Sequence, residues 1–125
     1  MTVKVLIVDD SSLARRSVRK LLEDAGYAVE EAIDGNQALE RYYINRPDLV
    51  FLDMVMHGMY GLDVLAKLKE LNPQVRVIVA TADIQTSTRE QVKAAGATAF
   101  VNKPLNREET LRIVEAVLKG DFVWN

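Results

Sequence analysis

The chain has 125 residues, 49% of them hydrophobic and 27% charged, which suits one globular domain with enough apolar material for a core. Sixteen basic against eighteen acidic residues leave a net charge of −2, which argues against a general binder of nucleic acid or of an anionic membrane surface. There is no cysteine, so disulfides, thiolate metal sites and thiol nucleophiles are excluded. The N-terminal apolar run is too short for a signal-peptide core or a membrane span, and the expectation is a cytoplasmic, monomeric protein with residues 1–125 as a single domain.

Short apolar segments alternate with longer amphipathic ones. The first strand is predicted at residues 3–8 ("VKVLIV") and stops on the adjacent carboxylates Asp9 and Asp10. A helix follows, with Ala14, Val18, Leu21, Leu22 and Ala25 on one face, Ser11 or Ser12 able to cap it, and Gly26 as its stop. Its basic residues Arg15, Arg16, Arg19 and Lys20 read as a solvated face, with a docking surface as the alternative. The second strand is predicted at 28–32 and the second helix from the stripe Ala38, Leu39 and Tyr42, ending before Pro47. The third strand, 48–52, leads into Asp53, and the third helix carries Leu65, Leu68 and Leu71 up to Asn72-Pro73. The fourth strand, 75–80, is followed by Thr81, and the fourth helix has little apolar surface beyond Val92 and its alanines. The fifth strand, 99–101, runs into Asn102-Lys103-Pro104. The last helix carries Leu111, Val114, Val117 and Leu118, opened by Asn106 with Glu109 and closed by Gly120; Phe122 and Trp124 beyond it are expected to fold back. Five such βα units with right-handed crossovers predict an α/β fold, a doubly wound five-stranded parallel sheet with five helices.

In a parallel sheet all strands end on one edge, where ligands bind in open α/β folds. Asp9, Asp10, Asp53, Thr81 and Lys103 therefore converge on one rim although they are scattered along the chain. Three acids at a sheet edge suit a hard divalent cation with oxygen ligands, and Mg²⁺ fits because it takes a few carboxylates and keeps its waters. Aspartate is a nucleophile toward phosphoryl groups, and the attack needs little beyond positioning and charge neutralisation. Asp53 is the best-placed nucleophile, with Lys103 and Thr81 to meet the phosphoryl oxygens. Alone, each of these residues is ordinary: an acid after a strand is most often a cap, and a lysine a solvated charge.

The stretches "VDD" at 8–10, "FLDM" at 51–54, "VATAD" at 79–83 and "VNKPL" at 101–105 resemble the response-regulator receiver domain along essentially the whole chain. The resemblance implies a flavodoxin-like strand order 2-1-3-4-5 and a stand-alone, chemotaxis-regulator-like receiver. Asp53 would accept phosphate from a histidine kinase or phosphotransfer protein. It also implies Mg²⁺ bound by Asp10, Asp53 and the main-chain carbonyl of Val55, with Asp9 assisting through water. Lys103 would contact the phosphoryl group, Thr81 would be the switch hydroxyl coupled to Phe100, and the Lys103-Pro104 bond would be cis. Val55 and Asp83, two residues beyond Asp53 and Thr81, would set the phosphoryl lifetime.

Two positions depart from the family pattern: His57 stands where proline is frequent, and Tyr60 where an acid or amide is. Both bear on the loop 54–61 and leave the chemical groups intact; His57, the single histidine, reads as an exposed loop residue without a catalytic part. The expected function is a signalling switch, not a turnover enzyme, that acts by binding a partner protein in chemotaxis control or a phosphorelay. An aspartate-nucleophile phosphatase is disfavoured because its second acid, two residues past the nucleophile, is here Val55. An unphosphorylated interaction module would typically have lost the nucleophile, lysine or acid pair, and all are present.

Overall fold

The computed structural model describes residues 2–56, 60–82 and 86–124, with 86 and 87 by their backbone alone. Strands β1 (Lys4–Val8), β2 (Ala28–Ala32), β3 (Leu49–Asp53), β4 (Val77–Thr81) and β5 (Ala99–Asn102) alternate with helices α1 (Ser12–Asp24), α2 (Gly35–Asn45), α3 (Gly61–Leu71), α4 (Thr86–Ala94) and α5 (Arg107–Leu118). Every pairing is parallel, and the order is β2-β1-β3-β4-β5, as expected. The three strands whose sequence is continuously apolar are the three inner ones, which helices cover on both faces. Alternate residues feed two cores. Leu6, Val8, Leu52 and Val79 meet Tyr42, Leu65 and Val92, while Val5, Ile7, Phe51 and Ile78 meet Val18, Leu22, Val114 and Val117.

Local polar residues set the starts of α1, α2 and α5. Ser11, not Ser12, caps α1, accepting from the Ala14 amide at 3.2 Å. Asn106 caps α5 through the Glu109 amide at 2.9 Å. Asp34 caps α2 through the Gln37 amide at 2.8 Å, and the Gln37 side chain accepts in return from the Ile33 amide at 3.0 Å. Helix α2 ends at Arg46, held at φ 46, just before Pro47.

Four of the five strands differ from expectation by one or two residues at one or both ends. Asp53 and Thr81 are the last residues of their strands, paired with Ala80 and Asn102, and not the first loop residues beyond them. Val75 and Arg76 precede β4. Val75 is buried all the same, with its amide donating to the Asn72 carbonyl at 3.0 Å. Apolar periodicity reports burial, whereas the ladder is set by which residues face a partner strand, so the two signals part at the ends.

Gly61 brings the first turn of α3 against the end of β3. Its amide donates to the Met54 carbonyl at 2.9 Å, and a Cβ there would stand 2.6 Å from both the Asp53 carbonyl oxygen and the Met54 Cα. Those are backbone atoms and cannot swing aside. Gly61→Ala is therefore expected to destabilise the fold by about 1–3 kcal/mol, the cost of overpacking a tight site, read as a lowered urea midpoint.

The tail divides. Trp124 folds back onto Phe100, but Phe122, expected to do the same, is 73% exposed. Among the described residues no helix is long and apolar enough to cross a membrane.

Candidate functional site

The C-terminal ends of β1, β3, β4 and β5 bring the polar residues together. Asp9, Asp10 and Asp53 each offer a carboxylate oxygen, and these lie within 4.8 Å of one another. The Lys103 ammonium reaches into the group from the turn after β5, donating to Asp9 Oδ2 at 2.9 Å and to Asp53 Oδ1 at 3.2 Å. Its backbone amide donates to the Thr81 carbonyl at 2.8 Å, which ties that turn to β4, and the Lys103-Pro104 bond is cis. Thr81 is buried at the end of β4.

Asp9 is the most enclosed of the acids, and both its carboxylate oxygens have protein donors. Oδ1 accepts from the Ser11 amide at 2.9 Å and Oδ2 from Lys103. The side chain of Asp53 is 11% exposed and shares Lys103. Burial raises the Asp53 carboxyl above its usual range; the Lys103 charge pulls it down and the Asp9 charge pushes it up, and the upward influences win. For Lys103 burial works against the charged form, yet hydrogen bonding to Asp9 and the charges of Asp53 and Asp9 outweigh it, and the ammonium is held more firmly than usual.

With all three acids ionised, three carboxylates against one ammonium leave two net negative charges at the rim. A divalent cation with a preference for oxygen balances that charge, and the clustered oxygens, part of them facing solvent, suit Mg²⁺ with its retained waters. Val55 is 65% exposed beside the cluster. Phe100 lies on β5 two strands from Asp53, half-buried and paired through its backbone with Val79. His57 and Asp83 lie outside the described residues; Tyr60 precedes α3 as its cap residue without a side-chain hydrogen bond.

Two features of the site were not read from the sequence. Gly61 is one, since nothing local signals that its missing Cβ makes room for Asp53. The other is Arg15, taken with its neighbours as part of a solvated face. Its side chain is 14% exposed, its Nε pairs with Glu31 at 2.8 Å and its Nη1 donates to the Asp9 carbonyl at 2.8 Å. Arg19 also pairs with Glu31, whereas Arg16 and Lys20, both exposed, behave as expected. The partner Glu31 comes from β2, so the pattern within α1 cannot reveal it.

The family model of the response regulator receiver domain matches residues 5–115. The chain is 39% identical over 119 residues to the response regulator MprA of Mycobacterium sp. (strain KMS), covering 95% of this chain and 52% of that one, so it spans about half the length of the curated relatives it matches. Among solved structures it is similar to a CheY-like receiver domain protein from Methanospirillum hungatei JF-1, at 28% identity and TM-score 0.91 over 95% of each chain. It is also similar to the chemotaxis protein CheY4 of Vibrio cholerae, at 33% identity and TM-score 0.89 over 94% of this chain and 99% of that one. An acid cluster closed by a lysine on the carboxyl edge of a 2-1-3-4-5 sheet and a matching family model lead to one conclusion: the chain belongs to the response regulator receiver domain family of two-component signalling.

Proposed function

We propose that the chain is a phosphorylation-activated switch in which Asp53 accepts a phosphoryl group from a histidine kinase or phosphotransfer protein. The observation that carries this reading is the Lys103 ammonium bridging Asp9 and Asp53 inside the three-acid cluster. In the transfer an Asp53 carboxylate oxygen attacks phosphorus. The new O–P bond forms as the bond from phosphorus to the donor's histidine nitrogen breaks, and the electron pair leaves with the donor. Asp10, Asp53 and the main-chain carbonyl of Val55 would hold Mg²⁺, with Asp9 acting through water, and the ion would neutralise charge on the phosphoryl oxygens. The engagement of both Asp9 oxygens by Ser11 and Lys103 supports an indirect part for that residue. Lys103 would move with the charge from the carboxylates to the phosphoryl oxygens, and the Thr81 hydroxyl would donate to one of them, leaving space into which the Phe100 ring turns. A ring with an inward and an outward position is a two-state element that phosphate contacts can bias. Output then goes to a partner protein, in chemotaxis control or a phosphorelay; the chain acts as a monomer and transfers nothing onward to a small substrate.

The test is to incubate the protein with acetyl phosphate and Mg²⁺, follow intact mass, and record NMR shifts at residues 88–105 for the parent and Thr81→Ala. One added phosphoryl group with shift changes that shrink in Thr81→Ala is the expected result; no mass gain would overturn the reading. Val55 and Asp83 would govern how long the phosphoryl group lasts. Val55 is exposed and apolar, and cannot orient a hydrolytic water. Val55→Asn is expected to shorten the half-life of the phosphorylated protein several-fold, measured by mass after removal of the donor.

A further inference from the structure

The single tryptophan of the chain lies against the aromatic ring that the switch would move. After α5, Gly120 at φ 104 and the Asp121 amide, which donates to the Ala116 carbonyl at 3.0 Å, turn the chain toward β5. β5 is an edge strand, and an open edge is a template for one more extended segment. Val123 occupies it, bridging Ala99 in parallel with its amide donating to the Thr98 carbonyl at 3.0 Å. Successive residues of an extended segment face opposite ways, so Val123 joins the core under α5 and Trp124 the core under α4. There the indole stacks on Phe100 with ring centroids 6.0 Å apart and planes at 26°. The Arg89 guanidinium and the Lys93 ammonium lie 5.9 and 5.8 Å from the indole centroid, close enough for cation–π attraction that holds the ring between α4 and β5. Beside it runs a groove of about 500 Å³ lined in part by Arg89, Phe100, Pro104, Ile113 and Val123.

We propose that Val123 and Trp124 are a ligand in cis for the face formed by α4, β5 and α5: in the unphosphorylated chain Trp124 holds Phe100 outward, and phosphorylation releases it. The inference rests on the reading of Asp53 as phosphoacceptor and of Phe100 as the moving ring. A Phe100 ring that turns inward gives up its stack on Trp124, so the tail binds the outward state better and shifts the equilibrium toward it. Linkage makes the effect reciprocal, and removing the indole must strengthen binding at Asp53 by the factor that binding at Asp53 loosens the indole. The same face then becomes free for an extended segment of another protein bearing an aromatic side chain, which the tail excludes until it leaves.

Beryllium fluoride with Mg²⁺, a reversible mimic of the phosphoryl group, makes both sides measurable at equilibrium. Trp124 is the sole tryptophan, so its emission and its quenching by acrylamide report the tail directly. Quenching is expected to rise on adding the mimic to the parent chain, and Trp124→Ala is expected to bind the mimic about 5-fold more tightly. Phe122→Ala, at a neighbouring exposed residue, is expected to bind as the parent does. Unchanged quenching, or parent-like affinity in Trp124→Ala, overturns the inference while mass gain at Asp53 leaves the switch standing. If the parent neither binds the mimic nor gains mass from acetyl phosphate, the switch fails and the tail's role fails with it.

Discussion

Asp53→Asn is expected to gain no phosphoryl mass from acetyl phosphate under conditions that label the parent fully, and the parent in EDTA is expected to gain none either. The amide keeps the shape of the side chain but removes the charge of the attacking oxygen, at the position where Lys103 donates to Asp53 inside the three-acid cluster. Full labelling of the variant would move the chemistry elsewhere. The same substitution has a second, opposite consequence for stability. Burial holds the Asp53 carboxyl above its usual range, so the ionised form is less favourable in the folded state than in the unfolded chain. A raised carboxyl contributes a destabilisation that is present at neutral pH and fades as pH falls through its folded value. Asp53→Asn should thus melt a few degrees above the parent at pH 7 in EDTA, and the gap should close on acidification or in saturating Mg²⁺. A scan in which the parent melts higher at pH 7 without Mg²⁺ would contradict the electrostatic account.

Lys103→Met is expected to lower the phosphorylation rate by about 10²- to 10³-fold, the size seen when one preorganised donor to developing negative charge is lost. Methionine fills much of the volume of the lysine stem, so packing at the turn after β5 changes little. What disappears is the positive charge that reaches Asp9 and Asp53. The rim then carries three carboxylates with no ammonium among them, and a divalent cation gains from the loss of a competitor. Titration calorimetry should find Mg²⁺ bound more tightly by the variant while labelling slows. General unfolding would weaken both, so slower labelling together with weaker Mg²⁺ binding would refute the assignment.

The inner strands were legible because burial on both faces demands unbroken apolar runs, and β1, β3 and β4 are written that way. The rim acids and Lys103 were legible for a related reason. The end of each buried run places the next polar residue on the carboxyl edge, so topology alone predicts that Asp9, Asp10, Asp53, Thr81 and Lys103 meet. Helix caps such as Asn106 are equally local and equally readable.

Tertiary structure decided the contacts whose partners come from distant elements. Arg15 looks like any surface arginine until β2 sets Glu31 beside it and β1 sets the Asp9 carbonyl within its reach. Gly61 looks like a loop residue until the start of α3 presses on the backbone of Asp53 and Met54. Phe122 and Trp124 are two aromatics in one tail, and only the placement of the chain against β5 lays Trp124 on Phe100 while Phe122, ahead of the Val123 bridge, is left in solvent. Sequence determined which strands would lie inside the sheet and which edge would be polar, because hydrophobic period and chain direction are local properties. Which side chain touches which depended on strand register and helix placement, and these are settled only when the whole sheet closes its two cores.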